Sequence, residues 1–302
     1  MLEYNLLKLY FTLLGWVVIG IILGRCLPQN APNGLGQFLF WIGVPLSILA
    51  FLRHANLSLA VWVAPVVAWA AILLGAGFGW LCLKPNWNRQ TQGSFLLASM
   101  LGNTGYLGYP IALSLVGTSY FGWSLFYDIL GTMLGSYSLG VAIGARCSEM
   151  NQKTGWLADA LIKNPALWSF GISLLTKDIP LPIAIENSLK TIGWLMVTLS
   201  LILIGMRLSQ LSSWYSLRRA CLGVGIKMIA VPLLIGIVLS LLGFTGLPRL
   251  AIVLQVGMPP AFATLVISEA YHLDQELTVT ALGLGSLGLL LTLPLWMALF
   301  GP

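Results

Sequence analysis

Two short segments, each inside an apolar run, carry residues suited to recognising a ligand. GNTGYLGYP occupies residues 102–110, and GMPPA begins at Gly257. Pro259 and Pro260 remove two successive N–H donors and disfavour helix just before them. In the first segment Gly102, Gly105 and Gly108, with Asn103, can take up non-helical angles, and Pro110 can open a new half-helix. The expectation is two interrupted helices whose second halves aim positive dipole ends and free N–H groups at one point, an arrangement that suits a carboxylate or other small anion. The alternative is that Gly and Pro only kink these helices or let them pack closely. Two ionisable residues, Asp128 and Lys227, also lie deep in apolar segments, where charge is costly and by default marks function. Asp128 is suited to proton coupling or a substrate link, and Lys227 to attracting an anion. The alternatives are Asp128 hydrogen-bonded among Ser124, Tyr127 and Thr132, and Lys227 snorkelling to an interface. Glu269 and His272 are expected to be solvated.

The elements that must position these residues follow from composition. Of the 302 residues, 58% are hydrophobic and 8% charged, with a mean hydropathy of +0.90, far from the roughly 25% charged residues of soluble domains. Apolar windows near the ~20 residues needed to cross hydrocarbon recur along the whole chain. The first, at about residues 6–27, is too long for a signal-peptide core. The chain is therefore expected to be an all-α polytopic membrane protein. The net charge of +6 is scattered through short loops and fits orientation in a bilayer better than nucleic-acid binding. Cys26, Cys82, Cys147 and Cys221 form no CxxC pair and have no histidine at ligand spacing, so neither a metal site nor disulfides are expected, and no cofactor is implied.

Ten transmembrane helices are predicted, at approximately 6–27, 34–52, 60–82, 93–116, 121–145, 165–182, 186–207, 218–243, 247–270 and 276–300. The sixth is the weakest, because Lys177, Asp178, Pro180 and Pro182 crowd its end. Lysine and arginine counts favour both termini on the extracytoplasmic side. The chain divides into a first five-helix repeat (1–145), a cytoplasmic connecting loop (146–164) and a second repeat (165–302). An odd number of spans per half makes the repeats inverted. They also run in register: the break at Gly102 in span 4 matches that at Gly257 in span 9, and spans 2 and 3 precede spans 7 and 8 by a similar interval.

The chain resembles the auxin efflux carrier family, which includes the plant PIN proteins, in GNTGYLGYP followed by IALSLVG, in VGMPPAFATLVISEAY, in NPALWSFGISLL and in TLPLW. The resemblance implies broken, crossing helices 4 and 9, an elevator-type motion and often a homodimer, in a fold similar to that of bile-acid sodium symporters. It implies a scaffold of spans 1, 2, 6 and 7 and a moving bundle of spans 3–5 and 8–10. It places Asn103, Thr104 and Gly105 at the first crossover and Met258, Pro259 and Pro260, just after Gly257, at the second. The plant carriers have a polar amide at the second crossover and this chain has none, which weakens the case for auxin itself.

Gly283, Gly285 and Gly288 spell GxGxxG, but no strand precedes them, so helix packing is expected rather than dinucleotide binding. Gly75 and Gly79 are read in the same way. Trp62, Trp80, Trp87, Trp123 and Trp214 are assigned to interfacial belts. With no Walker, HExxH or Ser-His-Asp pattern, the chain is read as a non-enzyme. The expected function is a secondary efflux carrier for a small organic anion in a plasma membrane, or an inner membrane if bacterial, with protons as possible coupling partners. The rivals are a sodium-coupled symporter of the bile-acid type, for which Gln255 and Asn103 are the nearby ligand candidates, and a membrane channel or receptor.

Overall fold

The computed structural model describes residues 15–148, 164–209 and 216–302. Regular structure among them is helical, and the extended backbone pairs only at one isolated bridge. In chain order the helices are α1 (Gly15–Cys26), α2 (Ala31–Leu52), α3 (Leu59–Leu81), α4 (Arg89–Met100), α5 (Gly108–Leu115), α6 (121–147), α7 (Pro165–Thr176), α8 (Ile183–Ser209), α9 (Leu217–Leu241), α10 (Gly246–Val256), α11 (Phe262–Ala270) and α12 (Gln275–Phe300). Five of them, α2, α3, α8, α9 and α12, are long and apolar enough to cross a membrane. Large apolar side chains face outwards as well as inwards. Leu175 is 85% exposed and Leu241 82%, an arrangement suited to a lipid surround rather than water.

The predicted boundaries needed correction at the sixth span. Its helix, α7, stops at Thr176 after 12 residues, about 18 Å at 1.5 Å per residue, short of the ~30 Å hydrocarbon thickness. Pro180 and Pro182 follow it, and proline cannot continue the helical ladder. Residues 6–14 of the first predicted span and nearly all of the 146–164 connection lie outside the described residues. Trp87 and Trp123, expected in interfacial belts, are instead buried: Trp87 packs edge-on against Phe95 beneath Arg219, and Trp123 against Phe244. Trp62 and Trp80 are exposed, and Trp214 falls outside the described residues.

The helices pack in two groups. In one, α2 lies against α7 and α8. Arg53, just past α2, donates to the Thr176 carbonyl at 2.5 Å and to that of Ile179. Lys177 Nζ returns to the Ala55 carbonyl at 2.6 Å, and His54 meets Glu186 at 3.5 Å. α1 joins through α8, where a Cβ on Gly20 would lie 2.9 Å from Gly205 Cα, so the two backbones touch. In the other group α3 packs on α4 and α6, while α9, α10 and α11 pack on α12. A Cβ on Gly75 would lie 2.9 Å from Met100 Cα, the close packing expected of that glycine pair.

Several helices contain a wide turn with i→i+5 spacing, at Leu39–Gly43, Asp128–Met133, Ser136–Gly140 and Ile226–Ala230. Pro45 and Pro232 follow the first and last of these. A proline ring clashes with the carbonyl four residues back and gives it no N–H, and widening the preceding turn relieves both. In α6, Ser136 and Ser138 hydroxyls donate to the Thr132 and Leu134 carbonyls at 2.7 and 2.6 Å, a pattern that bends helices. Asp128 and Lys227 both sit on wide turns.

Candidate functional site

Both predicted interruptions are present, and they meet. α4 is started by Asn88, whose side chain accepts from Thr91 N at 2.8 Å, and it ends in extended backbone at Leu101. α10 ends at Val256, and α11 begins only at Phe262 after extended Ala261. Residues 101–103 and 259–261 lie antiparallel, bridged at Gly102 and Pro260. Asn103 N donates to Pro259 O at 2.7 Å, and Ala261 N to Leu101 O at 3.0 Å. Each bond satisfies a backbone donor that would otherwise cost about 1–3 kcal/mol if buried and unpaired. The expectation that the freed amides would all face one pocket is thus corrected, because the Asn103 and Ala261 amides are used by the crossover itself.

The glycines of the first break serve proximity rather than unusual dihedrals. None of Gly102, Gly105 and Gly108 has a positive φ. A Cβ at Gly102 would sit 2.9 Å from Lys227 Nζ and 3.0 Å from its Cε, one at Gly105 would sit 3.4 Å from Asp128 Oδ2, and Gly108 lies directly against the Gln255 side chain. Lys227 is buried and donates to the Val256 carbonyl. It does not snorkel. Asp128 accepts from the Thr104 hydroxyl, and from the Tyr109 hydroxyl at 2.6 Å, replacing the expected set of Ser124, Tyr127 and Thr132. The two charges thus flank the crossover, Asp128 beside Thr104 and Lys227 beside Gly102, and no ion pair joins them among the described residues.

A cavity of about 430 Å³ opens on the Asp128 side, within the usual 300–1,000 Å³ range of ligand pockets. Gly102, Asn103, Thr104, Gly105, Tyr106 and Asp128 form one wall, and Ala261, Phe262 and Ala263 at the start of α11 form another. Asn103 is 5% exposed, and its side-chain amide has no hydrogen-bond partner among the described residues. No side chain caps α11, so its first turn presents backbone donors and a positive dipole end to the cavity. Together these are neutral hydrogen-bond donors on the cavity wall. Tyr106 and Phe262 meet edge-on, 5.9 Å between ring centres. Phe262 also walls a smaller cavity of about 160 Å³ that contains Arg207.

A family model for membrane transport proteins, that of the auxin efflux carriers, matches residues 6–297. The chain belongs to this family. It is similar to an uncharacterized transporter of Methanothermobacter thermautotrophicus, at 26% identity over 304 aligned positions covering 97% of this chain and 96% of the relative. It is also similar to an uncharacterized transporter of Methanocaldococcus jannaschii, at 26% identity over 209 positions, 68% of this chain and 67% of the relative.

In this auxin efflux carrier family member the predicted site residues separate into two sets. Asn103, Thr104, Gly105 and Asp128 border the cavity, whereas Gly257, Met258, Pro259, Pro260 and Lys227 are buried behind it. Trp296 of the TLPLW motif packs on Gly257, and a Cβ at Gly285 would lie 2.6 Å from Pro260 Cδ and 2.8 Å from Pro259 Cβ. The GxGxxG glycine therefore packs against the second break. Asn164 caps α7, accepting from Ala166 N at 2.9 Å, and both residues line the cavity, which gives NPALW a local reason. Gln255 is fully buried, with neither amide atom paired among the described residues, and lies outside the cavity. Glu269 and His272 are exposed, as expected, and the four cysteines are free. Sequence reasoning missed Tyr106, Tyr109, Phe262 and Arg207. Two of these stand within GNTGYLGYP, where a tyrosine hydroxyl able to serve an intramembrane Asp128 that has no basic neighbour in sequence was the available signal.

Proposed function

We propose that this membrane transporter is a secondary carrier of a small organic anion, a carboxylate, working by alternating access. The observation that carries the reading is the uncapped start of α11 facing the unpaired Asn103 amide across one cavity. A carboxylate there accepts from the α11 backbone and the Asn103 side chain, and a low-dielectric surround strengthens both. Tyr106 and Phe262 supply apolar area for the rest of the molecule. Gly257 to Pro260 shape the site from behind.

Counting the short α7 together with residues 177–182 as the sixth crossing, ten spans in two inverted repeats with extracytoplasmic termini would set the paired breaks near the midplane. The group of α1, α2, α7 and α8 then acts as a scaffold, shared in a homodimer, and the crossover-bearing group moves as an elevator through the plasma membrane. Asp128 borders the same cavity, so an anion binds with less repulsion when Asp128 holds a proton. That links flux to protons. The test is counterflow of labelled indole-3-acetate, malate and related acids in proteoliposomes, with and without a pH gradient. Saturable exchange of an acid is expected. Exchange confined to cations, or leak without counterflow as in a channel, would overturn the reading.

A further inference from the structure

The cavity leaves Lys227 unexplained. It does not line the cavity, is 4% exposed, and has no carboxylate partner among the described residues. Its surroundings are carbonyls at the carboxyl end of a half-helix. Gly257 N bonds to Val253 O at 2.9 Å, and Met258 N to Gln255 O at 3.3 Å, while the Val256 carbonyl takes the Lys227 ammonium. Met258 O lies 3.5 Å from the point where a Cβ on Gly102 would stand, and Lys227 Nζ lies 2.9 Å from the same point. The ammonium and this second carbonyl therefore border one small volume, kept open by glycine.

Helix carboxyl ends carry unsatisfied carbonyls and a negative dipole end. In carriers with interrupted helices, such ends and unwound carbonyls are where coupling cations bind. We infer that Lys227 is the resident cation of the crossover, its ammonium filling by covalent tether the place that a dissociable monovalent cation would take at the end of α10. The wide turn at Ile226–Ala230 brings the lysine stem to that point. Asp128 is held instead by Thr104 and Tyr109 and forms no ion pair with Lys227 among the described residues. A tethered charge cannot be released on either side of the membrane, so the crossover stays neutralised throughout the cycle and transport draws nothing from a sodium gradient at this place.

The inference rests on the carrier reading only for its transport readout, and the thermal readout stands without it. Wild-type exchange is expected to agree within about twofold in sodium and choline media, since no cation is exchanged at this place. Lys227→Ala is expected to fall by about tenfold or more in choline, because breaking a buried charged contact is costly, and to recover saturably with sodium or methylammonium. Those cations should also raise the melting temperature of purified Lys227→Ala, by about 2 °C or more, and leave the wild type unmoved. Lys227→Met fills the volume of the stem, provides a second folded variant, and should show the loss without the rescue. Sodium-dependent wild-type exchange overturns the inference, as does full activity of Lys227→Ala, or a folded Lys227→Ala whose melting temperature responds to no monovalent cation. If the wild type exchanges no acid at all, the carrier reading fails and the melting temperatures still decide the cation assignment.

Discussion

The backbone N–H of Asn103 is bonded to the carbonyl of Pro259 at 2.7 Å, so two helices 156 residues apart in sequence complete each other's hydrogen bonding where both are broken. The bond uses the main chain of Asn103 and leaves its side-chain amide to the cavity. Replacing the side chain should therefore separate binding from folding. Asn103→Ala should lower counterflow by about ten- to a hundredfold, the worth of one hydrogen bond to a charged group, with an unchanged melting temperature. Flux equal to wild type would remove Asn103 from the site.

On the proposed carrier reading, Asp128 is the group that sets the pH response. In the wild type, apparent affinity for the acid anion should rise as pH falls, by at most about tenfold per pH unit for one linked proton. The sign follows because the protonated carboxyl is the form that does not repel the ligand. Asp128→Asn keeps one acceptor oxygen for Thr104 or Tyr109, offers its N–H to the oxygen of the other hydroxyl and stays neutral, so its affinity should be flat across the same range. An unaltered pH profile in Asp128→Asn, measured by equilibrium binding, would place the coupling elsewhere.

Gly285 and Gly288 belong to one GxGxxG run but have different surroundings. A methyl group at Gly285 meets Pro259 and Pro260, whereas nothing lies within 4 Å of one at Gly288. Gly285→Ala should destabilise by about 1–3 kcal/mol through overpacking. Gly288→Ala should be neutral, or gain slightly from helix propensity. Thermal unfolding in detergent distinguishes them, and equal shifts would contradict the packing of Gly285 on Pro259 and Pro260.

Arg207 shares a cavity wall with Phe262 but pairs with no carboxylate among the described residues. If the cargo is an anion as proposed, this guanidinium is placed to draw it towards the Tyr106–Phe262 contact. Arg207→Gln should weaken acid binding by about two- to tenfold and reduce its sensitivity to ionic strength. Retention of the full salt dependence would assign Arg207 a packing role.

Much of the architecture was already legible along the chain. The helical class followed from hydropathy, because a backbone in hydrocarbon has few ways to satisfy itself. The two breaks followed from Pro259–Pro260 and from the glycines before Pro110, since missing donors and absent side chains act within a few residues. The short α7 was foreshadowed by its flanking Lys177, Asp178 and prolines. Relations across the chain were not legible. Sequence placed Lys227 at an interface or beside an anion, and only the fold set it on the Val256 carbonyl, because which carbonyl a long side chain reaches depends on how α9 and α10 pack. It gave the glycines a conformational role, whereas contact with Lys227, Asp128 and Gln255 is what requires them. It also assigned the binding surface to Gly257–Pro260, while the tertiary structure turned those residues inward against α12 and presented Ala261–Ala263 instead. Local chemistry determines where a helix must stop, but which freed groups then pair and which face a ligand is decided by the neighbours that packing brings to them.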